Sequence, residues 1–157
     1  MRKNKFGDIE ILTPICNPST ITDGRGAIFS WVPEDAIKEF TMLFFSPGKV
    51  RGNHYHPEFT EYFLVVDGEV ALFTIDPLTG KQIVMLCGKG FCFRTPSGVP
   101  HAVQAISSAT CISFITLPWD EAENPIVYVD LIPFDFEKPK IAEVGKGEDT
   151  AASDLLD

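Results

Sequence analysis

Short apolar runs follow one another along most of the chain, and Gly, Pro or Asp interrupts them every eight to twelve residues. Within many runs apolar and polar residues alternate, which is typical of strands with one buried face. Many short strands with turns at this interval predict a β-sandwich or a β-barrel. With 157 residues the chain is long enough for one domain and one substantial core.

The interruptions also predict the turns and the strand boundaries. Asp67-Gly68 lies between two apolar runs and predicts a hairpin, because both residue types accept positive φ. Asp76–Gly80 predicts a second turn, and Pro33–Lys38 has room for one helical turn. The predicted strands are Ile9–Leu12, Ala27–Val32, Phe40–Phe45, Val50–His56, Glu61–Val66, Glu69–Ile75, Gln82–Leu86, Phe91–Arg94, His101–Ala105, Thr110–Leu117 and Ile126–Leu131.

Charge and composition exclude several classes of partner. A formal net charge of −9 argues against a nucleic-acid or anionic-membrane surface, although a few buried cations could still serve a phosphorylated ligand. No stretch approaches the roughly 20 apolar residues of a membrane helix, and no apolar run of signal-peptide length follows the basic N-terminus. The four cysteines form no CxxC pair, which predicts free thiols and a cytoplasmic protein.

The strand pattern fades near residue 135, which predicts two parts in the chain. Residues 1–134 are expected to form the barrel with an N-terminal strand extension. Asp135–Asp157 carries seven acidic residues against three basic ones, without apolar periodicity, and is expected to be an acidic, mobile tail. The alternative is that this tail packs on a neighbouring subunit.

All three histidines of the chain fall in a pattern that predicts a metal site. His54 and His56 are two apart on a predicted strand, so both imidazoles point to one face. Glu61 opens the next strand, where its carboxylate can lie across from them, and a turn rich in Pro and Gly delivers His101. Three imidazole nitrogens and one carboxylate oxygen suit a divalent transition metal. Zinc is the first candidate, and iron, manganese, nickel and cobalt are alternatives.

Two segments around these ligands resemble the motifs of the cupins. Gly48 to Gly68 matches every fixed position of the first motif, G(X)5HXH(X)3–4E(X)6G. Gly90 to His101 resembles the second, G(X)5PXG(X)2H(X)3N, with Ala105 in place of the final Asn, which is not a ligand. The resemblance implies an all-β cupin fold, the jelly-roll barrel also described as a double-stranded β-helix.

Further segments narrow the resemblance to the RmlC-like nucleotide-sugar epimerases and ketoisomerases of the cupin superfamily. These are Arg51–Tyr55, the Asp23–Gly26 segment, and Pro118–Pro125 running into Ile126–Leu131. The fully ligated RGNHYH version is most similar to the C-terminal epimerase domain of the bifunctional capsule-sugar reductase/epimerase. The resemblance covers roughly Ile21–Leu131.

This resemblance implies an isomerase that acts on a nucleoside-diphosphate 4-keto-6-deoxy sugar through an enolate, in polysaccharide biosynthesis. Such chemistry needs a base beside the C–H bond and a group that stabilises the enolate oxygen, which a metal can provide. Arg51 is predicted to bind the diphosphate, with Arg25 and Lys49 as lesser candidates. If His54 binds metal, the base must be another residue. The candidates are Tyr62, Asp120, Tyr55 and Glu58.

Fold alone does not decide chemistry, and three alternatives stay open. They are a phosphosugar isomerase, an iron-dependent oxygenase, and a non-catalytic cupin that binds a sugar or another small ligand. A homodimer is also predicted, because the apolar strand Ile9–Leu12 has no hairpin partner in sequence and a second subunit could cover its edge.

Overall fold

The computed structural model describes residues 4–15 and 22–133. Within these ranges the regular structure is strand, apart from one 3-10 turn at Trp119–Glu121. No helix there is long and apolar enough to span a membrane. The strands are β1 (Asn4–Phe6), β2 (Ile9–Leu12), β3 (Thr22–Asp23), β4 (Gly26–Ala27), β5 (Glu39–Phe45), β6 (Val50–Tyr55), β7 (Glu61–Asp67), β8 (Val70–Ile75), β9 (Gln82–Cys87), β10 (Cys92–Thr95), β11 (His101–Ala105), β12 (Ala109–Ile115) and β13 (Val127–Tyr128).

Two antiparallel sheets form the barrel. One has six strands in the order β1-β2-β10-β7-β12-β5, and the other has five in the order β13-β6-β11-β8-β9. β3 and β4 form a separate small hairpin. The expected all-β fold is confirmed, and the predicted strands that form the two sheets are each found within a few residues of the expected bounds.

The core fills one end of the space between the sheets. Both sheets contribute to a single apolar cluster, in which Phe63 stacks on Phe93 with ring centroids 5.0 Å apart. Burying each large side chain of this kind stabilises the fold by about 1.5–3 kcal/mol. Along β12 the inward side chains change from Cys111 in the core to Ser113 and Ile115, which line an open cavity at the other end.

The predicted hairpin at Asp67-Gly68 is wrong, although the turn itself exists. Gly68 has φ +81°, and a Cβ there would overlap the carbonyl oxygen of Ser108. β7 pairs with β10 and β12, whereas β8 pairs with β11 and β9. The turn therefore carries the chain from one sheet to the other. By contrast, Asp76–Gly80 does join two paired strands, β8 and β9, as predicted.

The N-terminal strand has partners on both sides, so the reason given for a dimer is wrong. β2 pairs with β1 through a tight turn at Gly7, whose φ is +59°, and its other edge pairs with β10. β1 was missed because its three residues are short and mostly polar. A free strand edge lies instead at β5, which ends the six-stranded sheet.

Four further expectations need correction or fall outside the described residues. Of Ala27–Val32 only Ala27 lies in a strand, and Ile126–Leu131 shortens to β13. Pro33–Lys38 forms bends rather than a helical turn, because the Tyr62 hydroxyl accepts the backbone N–H groups of Glu34 and Asp35. The predicted acidic tail, residues 135–157, lies outside the described residues.

Candidate functional site

The three histidines come together at the open end of the barrel. His54 on β6 lies directly opposite His101 on β11, and His56 follows β6 by one residue. Their ring centroids are 4.6 to 5.2 Å apart. One nitrogen of each ring lies within 4.8 Å of the others, so the three imidazoles could hold a metal ion.

Backbone carbonyls orient two of the rings. Nδ1 of His56 lies 2.8 Å from the Pro125 carbonyl oxygen, and Nδ1 of His101 lies 3.0 Å from that of Val99. In each case Nδ1 must carry the proton and donate it, which leaves the lone pair of Nε2 facing the cluster. Histidines that bind metals are commonly oriented by such a bond from the other ring nitrogen.

Glu61 reaches the cluster from the six-stranded sheet. Its Oε2 lies 3.4 Å from Nε2 of His56 and 3.1 Å from Nε2 of His101, while its Oε1 accepts the hydroxyl of Ser113. Nε2 of His56 is buried and makes no hydrogen bond. A carboxylate oxygen and imidazole lone pairs that converge in this way require a cation between them, either a proton or a metal. The donor set therefore fits a divalent metal.

Electrostatics reinforce this interpretation. Burial, followed by repulsion from His101 and His56, holds the pKa of His54 well below its usual value. Burial opposes ionisation of Glu61, but the adjacent imidazoles of His101 and His56 outweigh this effect and hold the pKa of that carboxyl well below its usual range. Glu61 is thus anionic and His54 is neutral, which are the forms that bind metal.

A β-bulge aligns this part of β6. His101 lies opposite His54 and Ala102 lies opposite Gly52, so Asn53 is an extra residue in the ladder. Gly52 and Asn53 have positive φ values, 94° and 56°. At Gly52 a Cβ would come within 2.8 Å of the His101 carbonyl oxygen, so this position needs glycine. An odd separation normally places residues on opposite faces, but here Arg51 and His54 line the same cavity.

The cavity has a volume of about 880 Å³ and draws its walls from both sheets. This volume lies within the range of small-molecule sites. The Arg51 guanidinium lies 5.4 Å from the centre of the Phe45 ring and donates to the Phe44 carbonyl oxygen at 3.4 Å. Asp120, which is exposed, also lines the cavity, as the sequence predicted for a reactive group.

Arg25 and Lys49, the other predicted substrate-binding residues, are not among the described residues that line this cavity. Arg25 is exposed and pairs with Asp23 at 2.7 Å on the β3–β4 hairpin. Lys49 is also exposed, although it precedes β6. Their predicted contact with substrate therefore has no support from these positions.

The predicted base Tyr62 faces away from the histidines. Its hydroxyl donates to Oδ2 of Asp35 at 2.7 Å, and its ring lines a different cavity on the outer surface of the sheet. Adjacent strand residues point to opposite faces, so Tyr62 cannot share a face with Glu61. Glu58 accepts the backbone N–H groups of Asn124 and Glu123, and Tyr55 is not among the lining residues.

Two lining residues were missed by sequence reasoning. Glu39 opens β5, and Tyr128 lies on β13 directly opposite His54, with ring centroids 6.4 Å apart. Glu39 lies outside both motifs, and strand pairing alone brings it to the site. Tyr128 follows the loop that carries Pro125, so its position next to a motif strand was a usable signal.

Comparisons with known proteins agree with this geometry. The cupin-domain family model matches residues 41–116. The chain therefore contains a cupin domain. The match begins within β5 and ends just after β12, so it includes all three histidines and Glu61.

Solved structures extend the likeness beyond that match. An epimerase of dTDP-4-dehydrorhamnose from Sulfolobus tokodaii shares 23% identity with a TM-score of 0.60, and 74% of each chain is covered. A 3,4-ketoisomerase from Helicobacter canadensis shares 16% identity with a TM-score of 0.66, over 78% of this chain and 91% of that one. The capsular polysaccharide assembling protein CapF from Staphylococcus aureus shares 20% identity with a TM-score of 0.54, over 70% of this chain and 32% of its own.

At these identities the likeness establishes the fold alone, and this fold agrees with the matched cupin domain. The chain spans about a third of CapF, so CapF as a whole is a longer protein than this cupin. No curated protein sequence matches the chain.

Proposed function

We propose that this cupin is a metal-dependent epimerase or isomerase of nucleoside-diphosphate keto sugars that acts through an enolate. The observation that carries the proposal is that His54, His56 and Glu61 of the cluster line one cavity together with Arg51. The first group suits the ketone end of such a substrate, and the second suits its diphosphate. Structural neighbours with the same fold include a dTDP-4-dehydrorhamnose 3,5-epimerase, a 4-keto-6-deoxy sugar epimerase and a 3,4-ketoisomerase.

His54, His56, His101 and Glu61 would hold the metal, with zinc as the first candidate. A bound divalent ion supplies Lewis-acid stabilisation of the negative charge that develops on the ketone oxygen. The chain itself fixes the site: Pro125 and Val99 orient two imidazoles, and Ser113 orients the carboxylate. Phe59, which stacks on His56, and Trp119 form an apolar wall that limits water around the cluster.

Arg51 would bind the diphosphate at the cavity wall. Its packing on Phe45 fixes the direction of the guanidinium, which can fork onto two phosphate oxygens. The side chain is exposed in the described structure, so it is accessible to a ligand. Because Arg51 and His54 share one wall, a single extended ligand could contact both.

The cellular setting is proposed from the cysteines. Cys87, Cys92 and Cys111 are buried and unpaired, and burial raises the pKa of Cys87 and Cys92 to about 12. Free, protonated thiols fit a reducing compartment, so we place the activity in the cytoplasm. There it would serve polysaccharide biosynthesis.

The test combines three measurements on the purified wild-type protein. Elemental analysis should find about one transition-metal ion per chain. Calorimetry should detect binding of thymidine-, uridine- or guanosine-diphosphate 4-keto-6-deoxyhexoses, and NMR in deuterated solvent should show exchange of a C–H next to the ketone. Absence of binding to all three probes would contradict the proposal. Iron with oxygen consumption would favour an oxygenase, and binding without exchange would favour a non-catalytic cupin.

A further inference from the structure

The proposed chemistry needs a proton acceptor that the histidine cluster does not supply. Nδ1 of His56 and of His101 face carbonyl oxygens, and their Nε2 atoms face Glu61. With His54 as the remaining ligand, no imidazole is left for proton transfer. Among the described residues that line the cavity, Glu39, Asp120 and Tyr128 are the acidic side chains outside the cluster.

Strand register places Glu39 in line with Glu61. Ile115 on β12 is the direct partner of Glu39 on β5 and also of Glu61 on β7. Directly paired residues point to the same face, and all three line the cavity. Since adjacent strands are about 4.7–4.9 Å apart, the Cα atoms of the two glutamates lie about 10 Å apart. The space over Ile115 separates their side chains.

This spacing suits a ketone and its neighbouring carbon. A ketone oxygen at the histidine cluster lies beside Glu61, and the adjacent carbon then lies over Ile115, towards Glu39. A glutamate side chain that reaches inward from β5 can approach the C–H bond on that carbon. Proton abstraction needs this proximity before it needs an adjusted pKa.

A backbone donor holds the Glu39 carboxylate in place. Its Oε2 accepts the N–H of Trp119 at 2.7 Å, across 80 residues of sequence. This neutral donor fixes the direction of the carboxylate without neutralising its charge, as an arginine or lysine would. Half-buried on the wall, Glu39 is shielded more than Asp120, which is exposed at the mouth.

Tyr128 is placed for a different task. It lies on the five-stranded sheet opposite His54, whereas Glu39 lies on the six-stranded sheet. Its phenol hydroxyl is a proton donor, whereas a general base must accept a proton. Of the three candidates, Glu39 alone combines a shielded carboxylate with alignment to the cluster.

We propose that Glu39 is the general base of the reaction, an inference that rests on the proposed function. The Glu39 carboxylate takes the proton from the carbon next to the ketone. The electron pair of that C–H bond becomes the C=C bond of the enolate, and the carbonyl π pair moves to oxygen. Protonation of the enolate carbon by solvent on the face opposite Glu39 gives the epimeric ketone, and protonation of the enolate oxygen gives the enediol that leads to ketoisomerisation. Glu39 then returns its proton to solvent.

The test compares two carboxylates of one cavity, Glu39→Gln and Asp120→Asn, using the three keto-sugar probes named above. General-base catalysis contributes about 10²–10⁴-fold, so Glu39→Gln should slow solvent deuterium exchange by at least about 100-fold. Its metal content and sugar-nucleotide affinity should stay at wild-type levels, because the glutamine oxygen can still accept the Trp119 N–H. Asp120→Asn should slow exchange less than Glu39→Gln does, and the matched change Glu69→Gln, at an exposed residue outside the cavity, should exchange within about threefold of wild type.

The outcomes separate the two proposals. Wild type without exchange would contradict the proposed function itself. If the wild-type protein exchanges and Glu39→Gln exchanges at the same rate, the assignment of Glu39 as the base is refuted while the proposed function stands. Loss of exchange in Tyr128→Phe, with Glu39→Gln unaffected, would refute the assignment in the same way. If Glu39→Gln fails to fold, Glu39→Asp takes its place: a shortened side chain should slow exchange, and an unchanged rate would refute the inference.

Discussion

The two faces of the six-stranded sheet differ in chemistry although they belong to the same strands. On the inner face Glu39, Glu61 and Ser113 line the polar end of the cavity. One residue further along each strand, Phe40, Tyr62 and Phe114 line a second, apolar cavity of about 340 Å³ on the outer face. Residues next to each other in sequence therefore serve different purposes: one contributes to the candidate site, and the next lies on the apolar outer face, where it stabilises the fold or could contact another subunit.

The outer face has a polar network of its own, and it holds a loop rather than a ligand. Arg94 pairs with Asp35 at 2.9 Å and with Glu10 at 3.4 Å, and Tyr62 donates to Asp35. These bonds fix the segment before β5 on the sheet. Because the next residue with an inward side chain is Glu39, the outer network helps to position the start of the inner wall.

The sharpest test of this comparison uses neighbouring residues on β7. Glu61→Gln should lower metal occupancy by at least tenfold, because it removes the charged ligand. Tyr62→Phe should keep full occupancy and instead lower the free energy of unfolding by about 1–3 kcal/mol, because Asp35 loses a donor. Elemental analysis and urea unfolding measure the two effects. Full occupancy in Glu61→Gln, or in the His54→Ala/His56→Ala double variant, would contradict the assigned ligands.

A second pair compares one arginine from each side of the molecule. Arg51→Ala should weaken binding of a nucleoside-diphosphate sugar by roughly ten- to a hundredfold, equivalent to about 1.5–3 kcal/mol, with metal content unchanged. Arg94→Met should leave that affinity unaltered and destabilise the fold by about 2 kcal/mol, since Asp35 and Glu10 lose their ion pairs with the Arg94 guanidinium. Calorimetry measures the affinity and unfolding curves measure the stability. If Arg51→Ala lowers stability without changing the affinity, or Arg94→Met lowers the affinity, the assignment is wrong.

The outer face also predicts where a second copy would bind. β5 is an edge strand, and its outward residues Phe40, Met42 and Phe44 are 71%, 56% and 43% exposed. A long apolar edge is an association hazard that pairing with a second β5 would remove. We expect a homodimer at tens of micromolar by light scattering, and a monomer for the Phe40→Glu/Met42→Glu variant.

The control for this dimer is Leu78, which is 93% exposed in the turn between β8 and β9. Leu78→Glu should remain dimeric, because that turn belongs to the five-stranded sheet. A monomeric wild-type protein, or equal dissociation in both variants, would remove the outer face as the interface.

The smallest expected effect is a difference in pH response. Burial, followed by the bond to Asp35, raises the pKa of Tyr62 above its usual value. In the unfolded chain this tyrosine ionises at about pH 10, whereas in the folded chain it ionises only at a higher pH. The free energy of unfolding therefore keeps this contribution below about pH 10 and loses it as the pH rises towards the pKa of the folded state. Tyr62→Phe should flatten this alkaline decline. Glu61→Gln, on the inner face, should retain the decline.

The strands and the four cluster residues could be predicted because local signals specify them. Alternation fixed the strand bounds of β2 and β11, and two motifs fixed His54, His56, Glu61 and His101. The same alternation also excludes Tyr62 from the site, because adjacent strand residues point to opposite faces and Tyr62 follows Glu61 directly.

Glu39 and the position of Arg51 depend on non-local geometry. Glu39 reaches the site through the register of β5, β12 and β7, which no single segment encodes. Arg51 shares a wall with His54 only because Asn53 forms a bulge opposite β11. The hairpin predicted at Asp67-Gly68 failed for a similar reason: a turn sequence specifies a reversal, but not which sheet the next strand joins.

Residues 125–132, which follow the last residue of the histidine–Glu61 cluster in sequence, determine when the site of a newly made chain is completed. The side chain of Asn53 exchanges two hydrogen bonds with the backbone of Ile132, at 2.8 and 3.0 Å, and His56 is oriented by the carbonyl of Pro125. During synthesis all four side chains of the cluster leave the ribosome before either partner does. A nascent chain can therefore meet an ion while His56 is still free to rotate. The orientation of His56 is completed only when residues 125–132 have emerged and docked.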